Sequence, residues 1–181
     1  SLFAEKIKIH TPTRSTLKHH NLIYSELENV LQYNAIKNPK KTYSVEAIHQ
    51  IAESIHKRSL VILFSDMLEN SKHNEIEIFS ALQHLKYNKH EVILFHITEP
   101  ETELNLNFEN KPIRFVDAET EEEVRLNPLD IKDKFRDVSN KFIEKLKLKC
   151  LQYKIDIIFV DINKGFDQIL ISYLLKRQKL F

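Results

Sequence analysis

The chain has 181 residues, 42% of them hydrophobic, and a net charge of +1 from 27 basic and 26 acidic side chains. This composition suits one globular domain, argues against disorder, and gives no net field that would favour nucleic acid or a membrane surface. The single glycine, Gly165, excludes the glycine-rich phosphate loops of P-loop NTPases, protein kinases and dinucleotide-binding enzymes, which need several glycines close together.

The single cysteine, Cys150, excludes an intrachain disulfide and a zinc site built from several cysteines. Its place in a helical pattern is typical of a buried thiol. No stretch approaches the ~18 apolar residues of a membrane span and no signal peptide is visible, so we expect a cytoplasmic protein. The chain opens at Ser1 inside a strand-like pattern, so we expect further residues upstream.

The N-terminal part predicts two short strands and two helices. Alternation of apolar and polar residues over 2–9 predicts one strand or a bent pair of strands. A loop rich in hydroxyl groups follows, and Ser15 or Thr16 can cap the helix after it. Ser44 is predicted to cap a second helix. The apolar residues at helical spacing in these two helices are Leu17, Leu22, Ile23, Leu27, Val30, Leu31, Val45, Ile48, Ile51, Ala52 and Ile55.

The middle of the chain predicts a βαβ unit. Five consecutive apolar residues over 60–64, bounded by polar ones, predict a strand buried on both faces, and residues 91–97 predict a second. A helical pattern lies between them, which implies parallel strands and a right-handed crossover. The predicted core residues of this helix are Ile76, Phe79, Leu82 and Leu85.

The C-terminal part adds a hairpin, two helices and a strand. Residues 113–126 read as two short strands around a turn, and Asn127 caps a long helix that Pro128 opens. Residues 155–160 predict another strand, and Gly165 starts the last helix. The predicted buried stripe of the long helix is Ile131, Phe135, Val138, Phe142, Leu146 and Cys150.

These elements predict one α/β domain over residues 1–181: a doubly wound, mostly parallel sheet with helices on both faces and a β-hairpin insertion. In such sheets ligands bind outside the carboxyl ends of the strands. The polar residues at that edge are therefore the candidates for a binding site.

Asp66 is the strongest candidate at that edge, because it directly follows the buried run 60–64. One carboxylate with neutral hydroxyls and water suits Mg²⁺, and Ser15 and Thr16 are the hydroxyl candidates. Asp161 ends the last strand in the same way. A hydrolase or phosphotransfer domain that uses Mg²⁺ with Asp66 and Asp161 is therefore an alternative function.

Structural roles compete with each of these interpretations. Asp66 can cap the turn after its strand, and Asp161 can shape the turn before the last helix. His96, near a strand end, can act as a base or metal ligand, although a lone histidine is more often a hydrogen-bonded packing residue. His19 and His20 face different directions on a helix, so they do not form a zinc pair.

Five stretches, taken in order, resemble the family called domain of unknown function 58. The strand 59–68 resembles that family's hydrophobic strand followed by Ser-Asp-Leu-Leu. The chain departs from the family pattern by lacking glycines before His90 and after Thr120, and by having Glu99 in place of aspartate. The five stretches are LFAEKI (2–7), TPTRS (11–15), SLVILFSDML (59–68), KHEVILFHITEP (89–100) and IRFVDAET (113–120).

That family is similar to the von Willebrand factor A domain, whose metal-ion-dependent adhesion site uses three loops. The resemblance implies that Asp66 supplies the third loop's ligand and that Ser15 or Thr16 supplies the second's. The first loop, Asp-x-Ser-x-Ser, is absent from this sequence, so we expect a domain truncated at its N-terminus and an incomplete site. Mg²⁺ is implied for the full-length protein, and weak or no binding for this chain.

The resemblance also implies a function. Members of the family often resemble partners of MoxR-type AAA+ ATPases, which implies a non-enzymatic adaptor in the assembly or maturation of protein complexes. An acidic group of the protein partner would complete the coordination of the metal ion. We expect no nucleic-acid partner and no membrane span in this chain. A missing central strand would leave exposed sheet edges, so we expect upstream residues or another chain to pair there.

Overall fold

In a computed structural model, the structure describes residues 1–3, 7–32, 44–67, 75–109, 111–116 and 123–178. None of the helices in those ranges is long and apolar enough to cross a membrane. The strands are β1 (Leu2–Phe3), β2 (Ile7–Ile9), β3 (Leu60–Ser65), β4 (Glu91–Thr98), β5 (Ile113–Val116), β6 (Glu123–Leu126) and β7 (Asp156–Asp161). The helices are α1 (Leu17–Gln32), α2 (Ser44–Ser54), α3 (Glu75–Tyr87), α4 (Pro128–Tyr153) and α5 (Phe166–Gln178), with one π-helical turn at Pro100–Leu104.

The central sheet has the order β3-β4-β7, and both strand pairings are parallel. The register aligns Leu63 with Leu94 and Leu94 with Ile157. The strands β5 and β6 pair as an antiparallel hairpin, and β1 and β2 as a bent antiparallel pair. The predicted α/β class, a parallel sheet flanked by helices with a hairpin inserted, is therefore confirmed.

The two faces of β4 pack against different helices. Val92 and Leu94, two residues apart, belong to the core shared with α2, α3 and α4. On the opposite face the Phe95 ring stacks on Phe64 at 4.8 Å and meets Tyr173 of α5 edge-on at 6.0 Å. All residues from Val92 to His96 are buried, as predicted for this strand, because β4 is flanked on both sides by strands.

Two helix starts agree with the capping residues predicted from the sequence. The Asn127 side-chain oxygen accepts the Leu129 backbone N–H at 3.2 Å, with Pro128 at the first helical position. The Thr16 hydroxyl oxygen accepts the His19 backbone N–H at 3.3 Å. Of the two candidates for the α1 cap, the structure therefore shows Thr16 in that role.

Several expectations about burial are wrong. On β3, predicted to be buried on both faces, Leu60, Ile62 and Phe64 remain 42%, 43% and 59% exposed. They alternate with Leu63, which lies in the core, so only the opposite face of the strand is left open. In the predicted stripe of α4, Phe135 and Val138 are 37% and 67% exposed, whereas Leu146 and Cys150, nearer the end of the helix, are fully buried.

In α3, Ile76 is exposed and Ile78 is buried instead. Ile78, Leu82 and Leu85 lie close together around the helix axis, whereas Ile76 falls well outside that sector. The segment 100–111, predicted to be irregular, contains the π-helical turn at Pro100–Leu104.

The thiol of Cys150 is fully buried, and burial raises its pKa to about 11. Because the thiolate is the reactive form, we expect the folded protein at pH 8 to react with a thiol reagent about tenfold or more slowly than the protein in denaturant. Stopped-flow absorbance with an aromatic disulfide reagent measures both rates. Equal rates would contradict the buried position.

The same burial predicts a loss of stability at alkaline pH. Between about pH 9 and about pH 11 the unfolded chain releases the Cys150 proton while the folded chain keeps it, so the free energy of unfolding falls as pH rises. The loss attributable to this group is at most about 2–3 kcal/mol. Denaturant titrations of the wild type and Cys150→Ala should show that the variant lacks this component.

Candidate site at the carboxyl edge of the sheet

Three neighbouring strands place one row of side chains near the carboxyl edge of the sheet. The register aligns Ser65 of β3 with His96 of β4, and His96 with Phe159 of β7. Residues aligned across parallel strands share a face, so these three side chains form a row on the side of α3 and α4. Asp66 follows directly after β3, just beyond that row.

The turn after β3 presents Asp66 to solvent. The Met67 backbone N–H donates to the Ser65 hydroxyl oxygen at 2.9 Å, and the Met67 side chain is buried in the core. Met67 adopts φ 54°, in the left-handed region that few non-glycine residues occupy. Such backbone positions concentrate at functional sites, where the surrounding packing holds them. The turn therefore fixes an exposed carboxylate at the sheet edge.

His96 is only 3% exposed, and neither of its ring nitrogens has a hydrogen-bond partner within the described part of the chain. Its ring lies against Phe159, with centroids 5.3 Å apart. Burial lowers the pKa of His96, and the nearby Asp66 carboxylate opposes that effect, as do the backbone groups of His96 and Asp66. The expectation of a packing histidine is right about its burial.

Asp161 shapes the turn before α5, as one of the two interpretations predicted. Its carboxylate accepts the Asn163 backbone N–H at 3.0 Å and lies 3.5 Å from the Lys164 ammonium. The order β3-β4-β7 puts one strand between Asp66 and Asp161, so their strands lie about 10 Å apart. That separation counts against the two carboxylates sharing one metal ion.

The hydroxyl candidates lie at the start of α1. Thr16 caps this helix and Ser15, which precedes it, is exposed. Sharing of a metal ion between these hydroxyls and Asp66 stays a prediction. His19 is buried while its neighbour His20 is exposed, which agrees with their facing different directions. The described residues contain no group of three or more His, Cys, Asp or Glu side chains arranged to hold a metal ion.

The side chains at this edge fit Mg²⁺ only in part. Mg²⁺ takes oxygen ligands and keeps much of its water, which suits the exposed carboxylate of Asp66. The buried imidazole of His96 beside it is a nitrogen donor, which Mg²⁺ does not favour. Sequence reasoning identified Asp66 but missed that the imidazole of His96 is buried close to it. The available signal was a histidine inside the apolar run of the central strand.

Comparison with known proteins gives one finding about family. A sequence model described as "Protein of unknown function DUF58" matches residues 1–145. Searches of curated proteins and of solved structures found no match. Because the family match covers well over half of the chain, and includes every element from β1 through most of α4, this protein belongs to the DUF58 family of proteins of unknown function.

Proposed function

We propose that this protein is a non-enzymatic interaction module that binds a protein partner at the carboxyl edge of its sheet, where Asp66 supplies one ligand of a divalent cation. An acidic side chain of the partner completes the coordination of that cation. The partner is a MoxR-type AAA+ ATPase, and the module acts as an adaptor in the assembly of protein complexes. We also propose that the module is similar to the von Willebrand factor A domain.

The observation that carries this proposal is the exposed carboxylate of Asp66 at the end of a parallel strand, on a turn fixed by Ser65 and Met67. A single exposed carboxylate leaves most coordination positions of a cation open to ligands from elsewhere. The proposal therefore explains why the described residues of this chain supply only part of a metal site.

A second observation supports binding to a protein. Leu60, Ile62 and Phe64 alternate along β3, so they share one face of the sheet, and each is at least 42% exposed. Contiguous exposed apolar surface is uncommon on monomeric proteins and often marks a site of contact with another protein. The outer edge of β3, which has no neighbouring strand among the described residues, lies beside this face.

Replacement of Asp66 tests the proposal. We expect the wild-type chain to bind a MoxR-type ATPase in buffer with a divalent cation, and Asp66→Asn to weaken that binding about tenfold or more, because a neutral amide is a poorer cation ligand. Surface plasmon resonance with and without a chelator measures both dissociation constants. Asp133→Asn, which removes a carboxylate from the exposed surface of α4, is the matched control.

Two results would contradict the proposal. Equal affinity of the wild type and Asp66→Asn would remove Asp66 from the interface. Binding that is unchanged by the chelator would show that no cation mediates the contact.

A further inference from the structure

Two histidines on adjacent helices meet at a place that the proposed function does not use. His49 lies on α2, and His84 lies in the last turn of α3, which leads into the amino end of β4. Asp66 follows the carboxyl end of β3, so the histidine pair lies toward the opposite edge of the parallel sheet. Both histidines are half-buried, and their Nδ1 atoms are 2.7 Å apart.

The two rings direct a nitrogen at one common point. Their centroids lie 5.0 Å apart, so with 2.7 Å between the Nδ1 atoms each Nδ1 is on the side of its ring that faces the other ring. A neutral imidazole carries one proton, so one Nδ1 donates its N–H and the other accepts it through a lone pair. A single proton therefore holds the position between two potential ligand atoms.

The packing of α2 on α3 holds these rings in place. The Asn88 side-chain amide donates to the Ala52 carbonyl oxygen at 2.8 Å, about one turn from each histidine along its helix. Ile48 and Leu85, the sequence neighbours of the two histidines, are each 1% exposed, so the helices are closely packed at this level. Two nitrogens held on one point by packed helices lose little further freedom when they bind a common ligand.

The chemistry of the pair indicates the class of ligand. Neutral imidazole is the commonest metal-binding side chain and suits Zn²⁺, Cu²⁺ and Ni²⁺, whereas Mg²⁺ takes oxygen ligands. Zinc–nitrogen bonds of about 2.0–2.1 Å in a tetrahedral site put two nitrogen ligands about 3.3 Å apart. Opening the observed 2.7 Å to that value takes about 0.6 Å, which small side-chain rotations of two half-buried residues supply.

We propose that His49 and His84 together bind one divalent transition-metal ion of the zinc class, which joins α2 to α3. The ion accepts the lone pairs of both Nδ1 atoms. The ring that donated the hydrogen bond carries its proton on Nε2 instead of Nδ1, so no net proton is released from the neutral pair.

This site is open and reversible. The described residues contain no group of three or more His, Cys, Asp or Glu side chains arranged to hold a metal ion, so water fills the remaining coordination positions. Two protein ligands bind zinc less tightly than the four of a structural zinc site. Occupancy of the pair therefore follows the concentration of free metal, and the ion stabilises the contact between the helices when it is bound.

Calorimetric titration of the whole chain with Zn²⁺ at pH 7.5 tests the site. We expect His49→Gln and His84→Gln each to weaken Zn²⁺ binding about tenfold or more, since each removes a ligand. The double variant should bind no more weakly than the weaker single variant, because either loss leaves one ordinary imidazole. An excess of Mg²⁺ should not displace the Zn²⁺.

Two control variants locate the ion. His20→Gln removes an exposed histidine from α1 and should bind Zn²⁺ as the wild type does. Asp66→Asn should also leave the Zn²⁺ affinity of the histidine pair unchanged, because Asp66 lies toward the other edge of the sheet. The proposed function has its own readout, the effect of Asp66→Asn on partner binding, so it stands or fails independently of this inference.

A thermal measurement tests the join between the helices. An ion held by both helices binds only the folded chain, so Zn²⁺ at 100 times its dissociation constant should raise the melting temperature of the wild type by about 5 °C or more. The same Zn²⁺ concentration should leave the melting temperature of His49→Gln unchanged. Circular dichroism records these transitions and verifies that each variant is folded.

Chemical modification of the wild type tests the site without any variant. Diethyl pyrocarbonate attacks an unprotonated ring nitrogen, and a metal ion on Nδ1 with a proton on Nε2 leaves neither nitrogen free. Mass spectrometry should show that Zn²⁺ protects His49 and His84 together and leaves His20 reactive.

Three results would overturn the inference. Equal Zn²⁺ affinity in the wild type and both single variants would show that the pair is a hydrogen bond and no more. Weakening by only one of the two variants would show a site that uses a single histidine of the pair. Modification of His49 and His84 at the same rate with and without Zn²⁺ would show that no ion reaches them.

Discussion

Leu146→Ala is expected to lower the free energy of unfolding by about 2–5 kcal/mol, because it leaves a cavity at a position with no solvent exposure. Leu146 lies on α4 in the core that this helix shares with α2, α3 and the sheet. The core is packed on one side by Leu82 and Leu85 of α3 and on the other by Val92 and Leu94 of β4. Urea titration followed by circular dichroism measures the change.

Leu148→Ala is the matched control for this prediction. Leu148 lies on the same helix two residues away and is 66% exposed, so the same substitution should change stability by no more than about 0.5 kcal/mol. Similar losses for the two variants would show that α4 does not pack on the sheet through the face that contains Leu146.

In contrast to Leu146→Ala, His96→Leu is expected to raise the free energy of unfolding, by about 1–3 kcal/mol at pH 7.5. The wild-type imidazole is buried without a hydrogen-bond partner in the described part of the chain, and leucine fills similar space with no polar atom to desolvate. A gain in stability would show that the fold does not depend on a hydrogen bond of the His96 imidazole.

His90→Leu provides the control for His96→Leu. His90 is 1% exposed, and its Nε2 also lacks a hydrogen-bond partner among the described residues. Its Nδ1, however, accepts the Ser59 backbone N–H at 3.1 Å, so its replacement leaves that N–H without this acceptor. We therefore expect His90→Leu to destabilise the fold by about 1–3 kcal/mol. If His96→Leu destabilises the protein to a similar extent, His96 has a structural bond and no spare binding capacity.

We also expect the stability of the wild type and of His96→Leu to depend differently on pH. Burial lowers the pKa of His96 below its ordinary value of 6.5. Below about pH 6.5 the unfolded chain takes up a proton at this residue that the folded chain does not, so the stability of the wild type falls as the pH falls. His96→Leu should lose this component. Denaturant titrations at pH 5 and pH 7.5 measure it, and parallel profiles would contradict it.

The sequence was sufficient for the identity of the elements because their signals are local. The apolar runs at 60–64 and 92–95 predict parallel strands, and Asn127 with Pro128 predicts the start of α4, as the structure confirms. Asp66 also follows from a local pattern, a carboxylate directly after a buried strand. These features depend on residue spacing and on backbone chemistry within a few residues.

Burial and pairing are not local, and the tertiary structure decided them. Phe64 is predicted to be a core residue and is 59% exposed, because it lies on the face of β3 opposite the core that contains its neighbour Leu63. The sequence predicts a packing role for His96, yet the contacts of its imidazole depend on which groups of β3, β7 and α4 surround it. A strand pattern specifies which side chains point the same way, whereas only the assembled sheet specifies what they meet. The sequence by itself thus determined the α/β fold and the position of Asp66, and only the tertiary structure brought the buried imidazole of His96 close to that carboxylate.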